Sequence, residues 1–411
     1  MEGEVSHDIP VIQLPRSKSI CNRLLVIEAL AGMPLSRFDM ECADIEDMRQ
    51  SILDGRDHGV CHVKESGTAL RFLTAFFAIG RPIGTVTEIK CSGRLAERPI
   101  DRLLEYLVKF GMSSPEVVEA SGCKTIRLIA SKLKGGDIEI DTSKTTQYAS
   151  ALLLIAPYMN EGLTVRLPQS ITAYPYIDMT VRMMKNYGAA VEVSDREIRV
   201  QPEKYKDIAV TLPVEADWSA ASFFYEYIAI NGGTILLEGL NPDTTLQGDG
   251  KELPWLFYNY GVTTDILDNG IEISKSESPA LYVRKDFASF PDLVIPFVMT
   301  ACFTGVKFQC TGIEALHHKE SDRVEALKTA MQQMGFLLVS NDIDGKEALL
   351  WKGDTCTPLP KGSKIDDASD HRMAMAIEAS GKGYKAMHPQ CVEKSFPQFY
   401  EMLDRLKHIG R

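Results

Sequence analysis

Apolar positions recur along this chain in two helical styles. In the first, apolar residues follow i, i+3, i+4, i+7 spacing and each segment stops at a glycine. Pro99–Gly111 carries Ile100, Leu103, Leu104 and Leu107, and the segment ending at Gly188 carries Ile177, Val181 and Met184. Leu253, Leu256, Phe257 and Tyr260 precede Gly261; Val324, Leu327, Met331 and Met334 precede Gly335; Phe399, Met402, Leu403 and Leu406 precede Gly410. This spacing with a terminal glycine predicts half-exposed amphipathic helices with glycine stops. The stops lie 73 to 77 residues apart, and a shorter copy, Glu46–Gly55, precedes them.

The second style is apolar on nearly every side. Its segments are Leu24–Ala31, Ala69–Ile79, Ala149–Met159, Ala220–Ile230, Leu293–Phe303 and Met373–Ser380. A helix that is apolar all round is a buried one. Short β-rich runs surround both sets: Thr85–Cys91, Leu163–Leu167, Thr234–Glu238 and Val306–Cys310, with Ala190–Val193, Ile198–Val200 and Gly270–Ser274 reading as hairpin pieces. A fixed period of this kind marks a repeated unit. The expectation is six βαβ-type units, each with one buried and one half-exposed helix, divided three and three by a break near Val214-Glu215-Ala216.

Composition narrows the class. The chain has 411 residues, 45% of them hydrophobic and 25% charged, the mixture of a globular protein. A net charge of −11 argues against a nucleic-acid binder, but leaves room for small anions in a local basic pocket. Nine cysteines contain no C-x-x-C pair, which fits reduced, mostly buried thiols. Met1–Pro10 is acidic with no apolar run, so no secretory signal is visible. The longest apolar stretches are too short to span a bilayer. These features together predict a soluble cytoplasmic protein.

Each buried segment follows a polar one: Arg16–Ser19, Glu65–Thr68, Ser143–Gln147, Glu215–Ser219, Pro291-Asp292 and Asp366–Arg372. Ser, Thr and Asp there serve as N-caps, yet helix N-termini also present free N–H groups to anions. Basic residues gather at the same places: Lys18 and Arg23, Arg71, Arg94 and Arg98, Lys319 and Arg323, Arg372, Lys394. Any one of them reads as a surface charge. Their repeated position at helix starts in an acidic chain points to a substrate with several negative groups. There is no G-x-x-x-x-G-K-[ST] loop, no G-x-G-x-x-G after a strand and no H-E-x-x-H. Asp366, Asp367, Asp370 and His371 read either as a metal-like cluster or, beside Arg372, as a hydrogen-bonded anion-binding turn. His317-His318 reads as a loop pair.

Ten collinear motifs then carry a family resemblance. They are Leu14–Arg23 (LPRSKSICNR), Ser66–Arg71 (SGTALR), Glu97–Pro99 (ERP), Thr145–Gln147 (TTQ), Pro175–Asp178 (PYID), Gln247–Asp249 (QGD), Phe290–Asp292 (FPD), Lys319–Arg323 (KESDR), Asp370–Met375 (DHRMAM) and Lys394–Pro397 (KSFP). In order and over nearly the whole chain, they resemble the 5-enolpyruvylshikimate-3-phosphate synthase family of enolpyruvyl transferases. The resemblance implies a two-domain inside-out α/β barrel of six βαβ-type repeats, three per domain. One domain would be residues 15–214. The other would be 1–14 with 215–411, with the active site in a cleft that closes about the crossovers near Leu14–Arg16 and Val214–Ala216.

The same resemblance implies the activity: transfer of the enolpyruvyl group of phosphoenolpyruvate to the 5-hydroxyl of shikimate 3-phosphate, with no cofactor and no metal, by a monomer. Lys18, Ser19, Arg23, Thr145, Thr146, Gln147, Asp292 and Lys319 would bind shikimate 3-phosphate. Lys18, Gly67, Arg98, Gln147, Arg323, Arg372 and Lys394 would bind phosphoenolpyruvate. Asp292 would accept the hydroxyl proton, Glu320 would move the proton at the enolpyruvyl carbon, and Lys18 would be the third catalytic group. Two carboxylates in different environments suit an acid and a base role. The chain departs from the family pattern at Glu65-Ser66, where Asn-Ala is usual, a change bearing on the phosphoenolpyruvate pocket and on glyphosate. Ala173 replaces a phosphate-binding Ser, with Ser170 or Thr172 as substitutes, and Ala315 and Leu316–His318 replace an Asn and a tryptophan-containing stretch. The alternatives are a UDP-N-acetylglucosamine enolpyruvyl transferase, whose cysteine loop and KNAALP-like segment are missing here, and a non-catalytic anion-binding module, against which both carboxylates argue.

Overall fold

The computed structural model describes residues 9–142, 145–169, 171–207 and 214–406. Ser143 and Lys144 of the third polar segment, Ser170, the residues before Ile9 and the stop at Gly410 lie outside the described residues.

All six apolar segments are helices: Lys18–Ala31, Gly67–Ile79, Gln147–Ile155, Trp218–Asn231, Val294–Thr304 and His371–Ala379. Five begin inside the polar segments, so Lys18, Gly67, Gln147, Trp218 and His371 are first helical residues. Apolar periodicity sees only the stretch with a packed neighbour and misses a polar first turn. Their amphipathic partners are Ala43–Asp57, Asp101–Lys109, Tyr174–Asn186, Gly248–Tyr258, Arg323–Gln333 and Phe399–Leu406. The segment expected to run from Pro99 starts only at Asp101, after a short helical turn at Arg94–Glu97. Gly111, Gly188, Gly261 and Gly335 all have positive φ, from 77 to 105°. Behind three of them the next residue donates back across the helix end, Met112 to Leu107, Ala189 to Met184 and Phe336 to Met331 at 2.8–3.1 Å. This is the six-to-one bond of a Schellman stop.

Four repeats carry a four-stranded sheet of one plan. Val60–His62 runs parallel to Val86–Ser92 across the buried helix, and Val86–Ser92 pairs antiparallel with Cys123–Ile129 of a hairpin whose other arm is Glu116–Ala120. Gly136–Glu139, Leu163–Arg166, Glu197–Val200 and Val191–Ser194 repeat that order, as do Tyr282–Asp286, Lys307–Thr311, Lys346–Trp351 and Val339–Ile343. In the third copy Val11–Ile12 supplies the first strand, beside Thr234–Glu238, Gly270–Lys275 and Val262–Leu267. The six units are therefore unequal. The last carries only Lys364–Ile365 with Lys385–Ala386, and among the described residues the first has its two helices without a sheet of its own.

The chain forms two compact units. One comprises Ser17–Val214 and Glu314–Asp322, the other Met1–Arg16, Glu215–Ile313 and Arg323–Arg411. Within each, the three buried helices pack on one another. Strands such as Cys123–Ile129, with Ile126 and Leu128 buried, turn one face inward and the other to solvent. Helices thus fill the inside and sheets the outside, the reverse of the usual α/β order. In the second unit, Arg16 bridges Ala216 and Asp217 N–H donates to Pro15 O at 2.9 Å. Six of the nine cysteines are buried. Among the described residues no helix is long and apolar enough to cross a membrane.

Candidate active site

The starts of the six buried helices differ in how they are closed. Ser66 Oγ accepts from Ala69 N, Asp217 Oδ1 from Ser219 N and Ala220 N, and Asp370 Oδ1 from Arg372 N, at 2.8–3.3 Å. At the other three starts, behind Ser17, Thr146 and Leu293, no cap side chain accepts from the first turn. Capping therefore accounts for half of the polar segments.

In the unit built on Ser17–Val214, Lys18 opens its helix and its Nζ donates to Asp44 Oδ2 at 2.9 Å. Ser19 is half-buried one residue on, and its carbonyl accepts from Arg23 Nη1. The Arg23 guanidinium is buried. Nε donates to Thr180 Oγ1 at 2.7 Å and Nη2 donates to Ser150 Oγ and Tyr176 O, while the group lies over the Phe72 ring. These bonds use four of its five N–H donors. Burial lowers its pKa to about 10, with the Tyr176 phenol acting the other way.

Gly67 is closely walled. A Cβ there would run into the guanidiniums of both Arg98 and Arg71, so a side chain at this position would have to displace them. Arg71 is buried and donates to Gly67 O at 2.9 Å and Pro99 O at 2.6 Å, tying the helix start to the turn that carries Arg98. Burial, and then the neighbouring Arg98 charge, lower its pKa to about 9. Arg98 Nη1 reaches Glu320 Oε1 at 3.5 Å, so the Glu97–Pro99 turn and the Lys319–Glu320 segment meet within this unit. Glu320 therefore pairs with Arg98 across 222 residues. Arg94, by contrast, is an exposed partner of Glu97. Gln147 Nε2 donates to Thr68 Oγ1 at 3.0 Å and its N–H to Thr145 Oγ1 at 3.1 Å, while Thr146 is buried at the helix start.

In the other unit, Asp292 lies in the turn Pro291–Leu293 before Val294–Thr304. Its two oxygens accept from Arg323 Nη1 at 2.9 Å and Arg372 Nη2 at 3.1 Å. Arg323, fully buried, also donates from Nε to Asp370 Oδ2 at 2.8 Å. Asp249 is buried and accepts from Ser219 Oγ at 2.6 Å. Burial, then the Asp292 charge, push its pKa up to about 7. Lys394 ends the turn Pro389–Lys394 and is nearly buried. The Asp366–Arg372 segment is a hydrogen-bonded turn, and among the described residues no group of three or more His, Cys, Asp or Glu is arranged to hold a metal ion.

Asp44, Thr68 as a partner of Gln147 and Asp370 as a partner of Arg323 were not singled out from the sequence. They act on other side chains, and no spacing rule reports a contact across 26 to 79 residues. Asp249 was visible only as part of a motif. At the atypical positions, Ser66 is a working N-cap, Ala173 takes a left-handed conformation (φ 52°) before Tyr174–Asn186, and the Thr172 hydroxyl donates to Thr142 O. His317 pairs with Asp322 at 2.8 Å.

The family model for EPSP synthase (3-phosphoshikimate 1-carboxyvinyltransferase) matches residues 10–403. The 3-phosphoshikimate 1-carboxyvinyltransferase of Bacteroides fragilis is 36% identical over 403 residues, covering 95% of this chain and 94% of that protein. The protein of that name from Syntrophobacter fumaroxidans is 32% identical, over 83% and 78%. Among solved structures, EPSP synthase from Acinetobacter baumannii superposes with a TM-score of 0.69 at 20% identity, over 97% of both chains. The enolpyruvyl transferase NikO from Streptomyces tendae does so with a TM-score of 0.63 at 13% identity, over 97% and 94%.

Proposed function

Because the chain belongs to the EPSP synthase family, whose reaction moves the enolpyruvyl group of phosphoenolpyruvate onto the 5-hydroxyl of shikimate 3-phosphate and releases phosphate, we propose which residues carry that reaction here. This is a step of the shikimate pathway towards chorismate and the aromatic amino acids. Arg98, Arg323, Arg372 and Lys394, with Gly67, Gln147 and Lys18, hold phosphoenolpyruvate. Lys18, Ser19, Arg23, Thr145, Thr146, Gln147, Asp292 and Lys319 hold shikimate 3-phosphate. Lys18 is common to both and takes part in catalysis.

The carrying observation is that both proton-transfer carboxylates are bonded to arginines of the phosphoenolpyruvate set: Asp292 to Arg323 and Arg372, and Glu320 to Arg98. An incoming phosphate or carboxylate competes for those guanidiniums. That frees an Asp292 oxygen to accept the 5-hydroxyl proton as the hydroxyl oxygen attacks C2 of phosphoenolpyruvate. Glu320 delivers a proton to the C3 methylene, making a methyl group. It takes one back as the C2–O bond to phosphate breaks and the double bond returns. Each proton transfer contributes about 10²–10⁴-fold, and orientation by the cations supplies the rest. Nine cysteines without a C-x-x-C pair, six of them buried, support a cytoplasmic setting, and we take the enzyme to act as a monomer, which its elution volume would check.

The experiment is phosphate release from phosphoenolpyruvate with shikimate 3-phosphate or UDP-N-acetylglucosamine in separate reactions. Release is expected with the first acceptor alone. Asp292→Asn and Glu320→Gln are each expected to cut kcat by about 10²-fold or more, with shikimate 3-phosphate still bound in a calorimeter. Near-normal turnover in either variant removes that residue from its role.

A further inference from the structure

Arg372 and Lys394 sit at the ends of two separate turns, and one pair of side chains holds both turns. The first turn, Asp366–Asp370, leads from strand Lys364–Ile365 into helix His371–Ala379. It contains two successive non-glycine residues at positive φ, Ala368 at 50° and Ser369 at 54°. Few residues adopt that conformation unaided, so something outside the turn must define it. Asp366 N–H donates to Gln333 Oε1, and Asp366 and Asp367 accept from Ala368 N and Ser369 N, all at 2.9 Å. The Asp367 carboxylate is fully buried, and its remaining partner comes from the second turn. His388 grips it twice, with its backbone N–H on Oδ2 and its ring Nδ1 on Oδ1, both at 2.7 Å. His388 is also the cap residue of Pro389–Lys394. The next residue after this pair is Asp370, which receives Arg372 N and Arg323 Nε.

We infer that His388 is a positioning residue for the phosphoenolpyruvate site, locking the left-handed Ala368-Ser369 turn through Asp367 and so setting Arg372 and Arg323 on one side and Lys394 on the other. The inference rests on the assignment of those three cations to phosphoenolpyruvate made above. Where Asp367 is a carboxylate, Nδ1 is the donor of this pair, since a carboxylate can only accept. The His388 ring is 38% exposed, so removing it opens no core cavity.

That exposure makes a clean test available. In His388→Ala the ring donor is lost. In His388→Asn, the side-chain amide nitrogen takes the place of Nδ1. His388→Ala is expected to raise KM for phosphoenolpyruvate by about 10- to 100-fold, as misplacement of binding groups does, with KM for shikimate 3-phosphate within about twofold of the parent. His388→Asn is expected to return KM for phosphoenolpyruvate towards the parent value. An equal rise in both KM values, or no recovery in His388→Asn, overturns the inference. Arg372→Gln is measured alongside. If it raises KM for phosphoenolpyruvate while His388→Ala does not, the positioning role is wrong and the site stands. If Arg372→Gln leaves that KM unchanged, the site assignment itself falls, and the inference with it.

Discussion

Glu226 lies in the middle of helix Trp218–Asn231 with no exposed surface, and among the described residues neither carboxyl oxygen has a hydrogen-bond partner. Burial raises its pKa well above the usual carboxylate range. The native state therefore keeps this proton at pH values where the unfolded chain has released it. Since the native state binds more protons, stability falls as pH rises above the unfolded value of about 4.3. Relative to Glu226→Gln, which cannot ionise, the parent is expected to lose up to about 1.4 kcal/mol per pH unit until the native group also titrates. Urea denaturation of both proteins at several pH values between 5 and 8 reads this directly, and parallel stability curves would rule it out. Glu226→Met is expected to add about 1–3 kcal/mol at neutral pH by removing an unsatisfied polar group. The motifs that carry the basic residues were legible at this scale because they stand in order. Glu226 and Asp44 were not, because burial and partner choice are properties of the folded neighbourhood.

At the scale of elements, the ends of helices were easier to read than their beginnings. A C-terminal glycine is written in the chain because only glycine takes a left-handed conformation cheaply. Gly111 has φ 105°, and a Cβ there would meet nothing closer than Lys132 O at 3.8 Å. Backbone strain is then the whole cost of a side chain. Gly111→Ala is expected to lower unfolding free energy by about 1–2 kcal/mol with activity per folded molecule unchanged. A chemical-denaturation midpoint equal to the parent's would show that the stop tolerates alanine. Helix starts were less legible because the first turn is polar and shows no apolar period. Strands were missed for a similar reason. Glu116–Ala120 is exposed at every position and has no buried face to produce alternation, whereas Thr234–Glu238, with Ile235 and Leu237 buried, was found at its true bounds.

The largest scale joins residues that local periodicity cannot connect. The repeat itself was legible, because each copy buries one helix among two others and the same apolar face recurs every 73 to 77 residues. The unequal sheets were not, nor was the excursion of Glu314–Asp322 into the unit of Ser17–Val214. Val11–Ile12 is the extreme case: Val11 pairs with Leu236 and Ile12 with Leu237, completing a sheet whose other strands begin more than two hundred residues later. Two residues form a poor strand alone, so this pairing holds through burial of Ile12, which has no exposed surface, and of Leu14. Ile12→Ala is expected to cost about 2–4 kcal/mol, the usual loss for a buried aliphatic chain. The chain reports where that loss falls, because Trp218, Trp255 and Trp351 all belong to the unit that Val11–Ile12 completes. Each unit has its own helical core. Ile12→Ala should therefore lower the midpoint seen by tryptophan fluorescence. Leu152→Ala, in a buried helix of the other unit, should lower the midpoint of far-ultraviolet circular dichroism more than that of fluorescence. If both variants shift both signals equally, the two cores unfold as one block, and the N-terminal strand stabilises the whole molecule rather than the unit it joins.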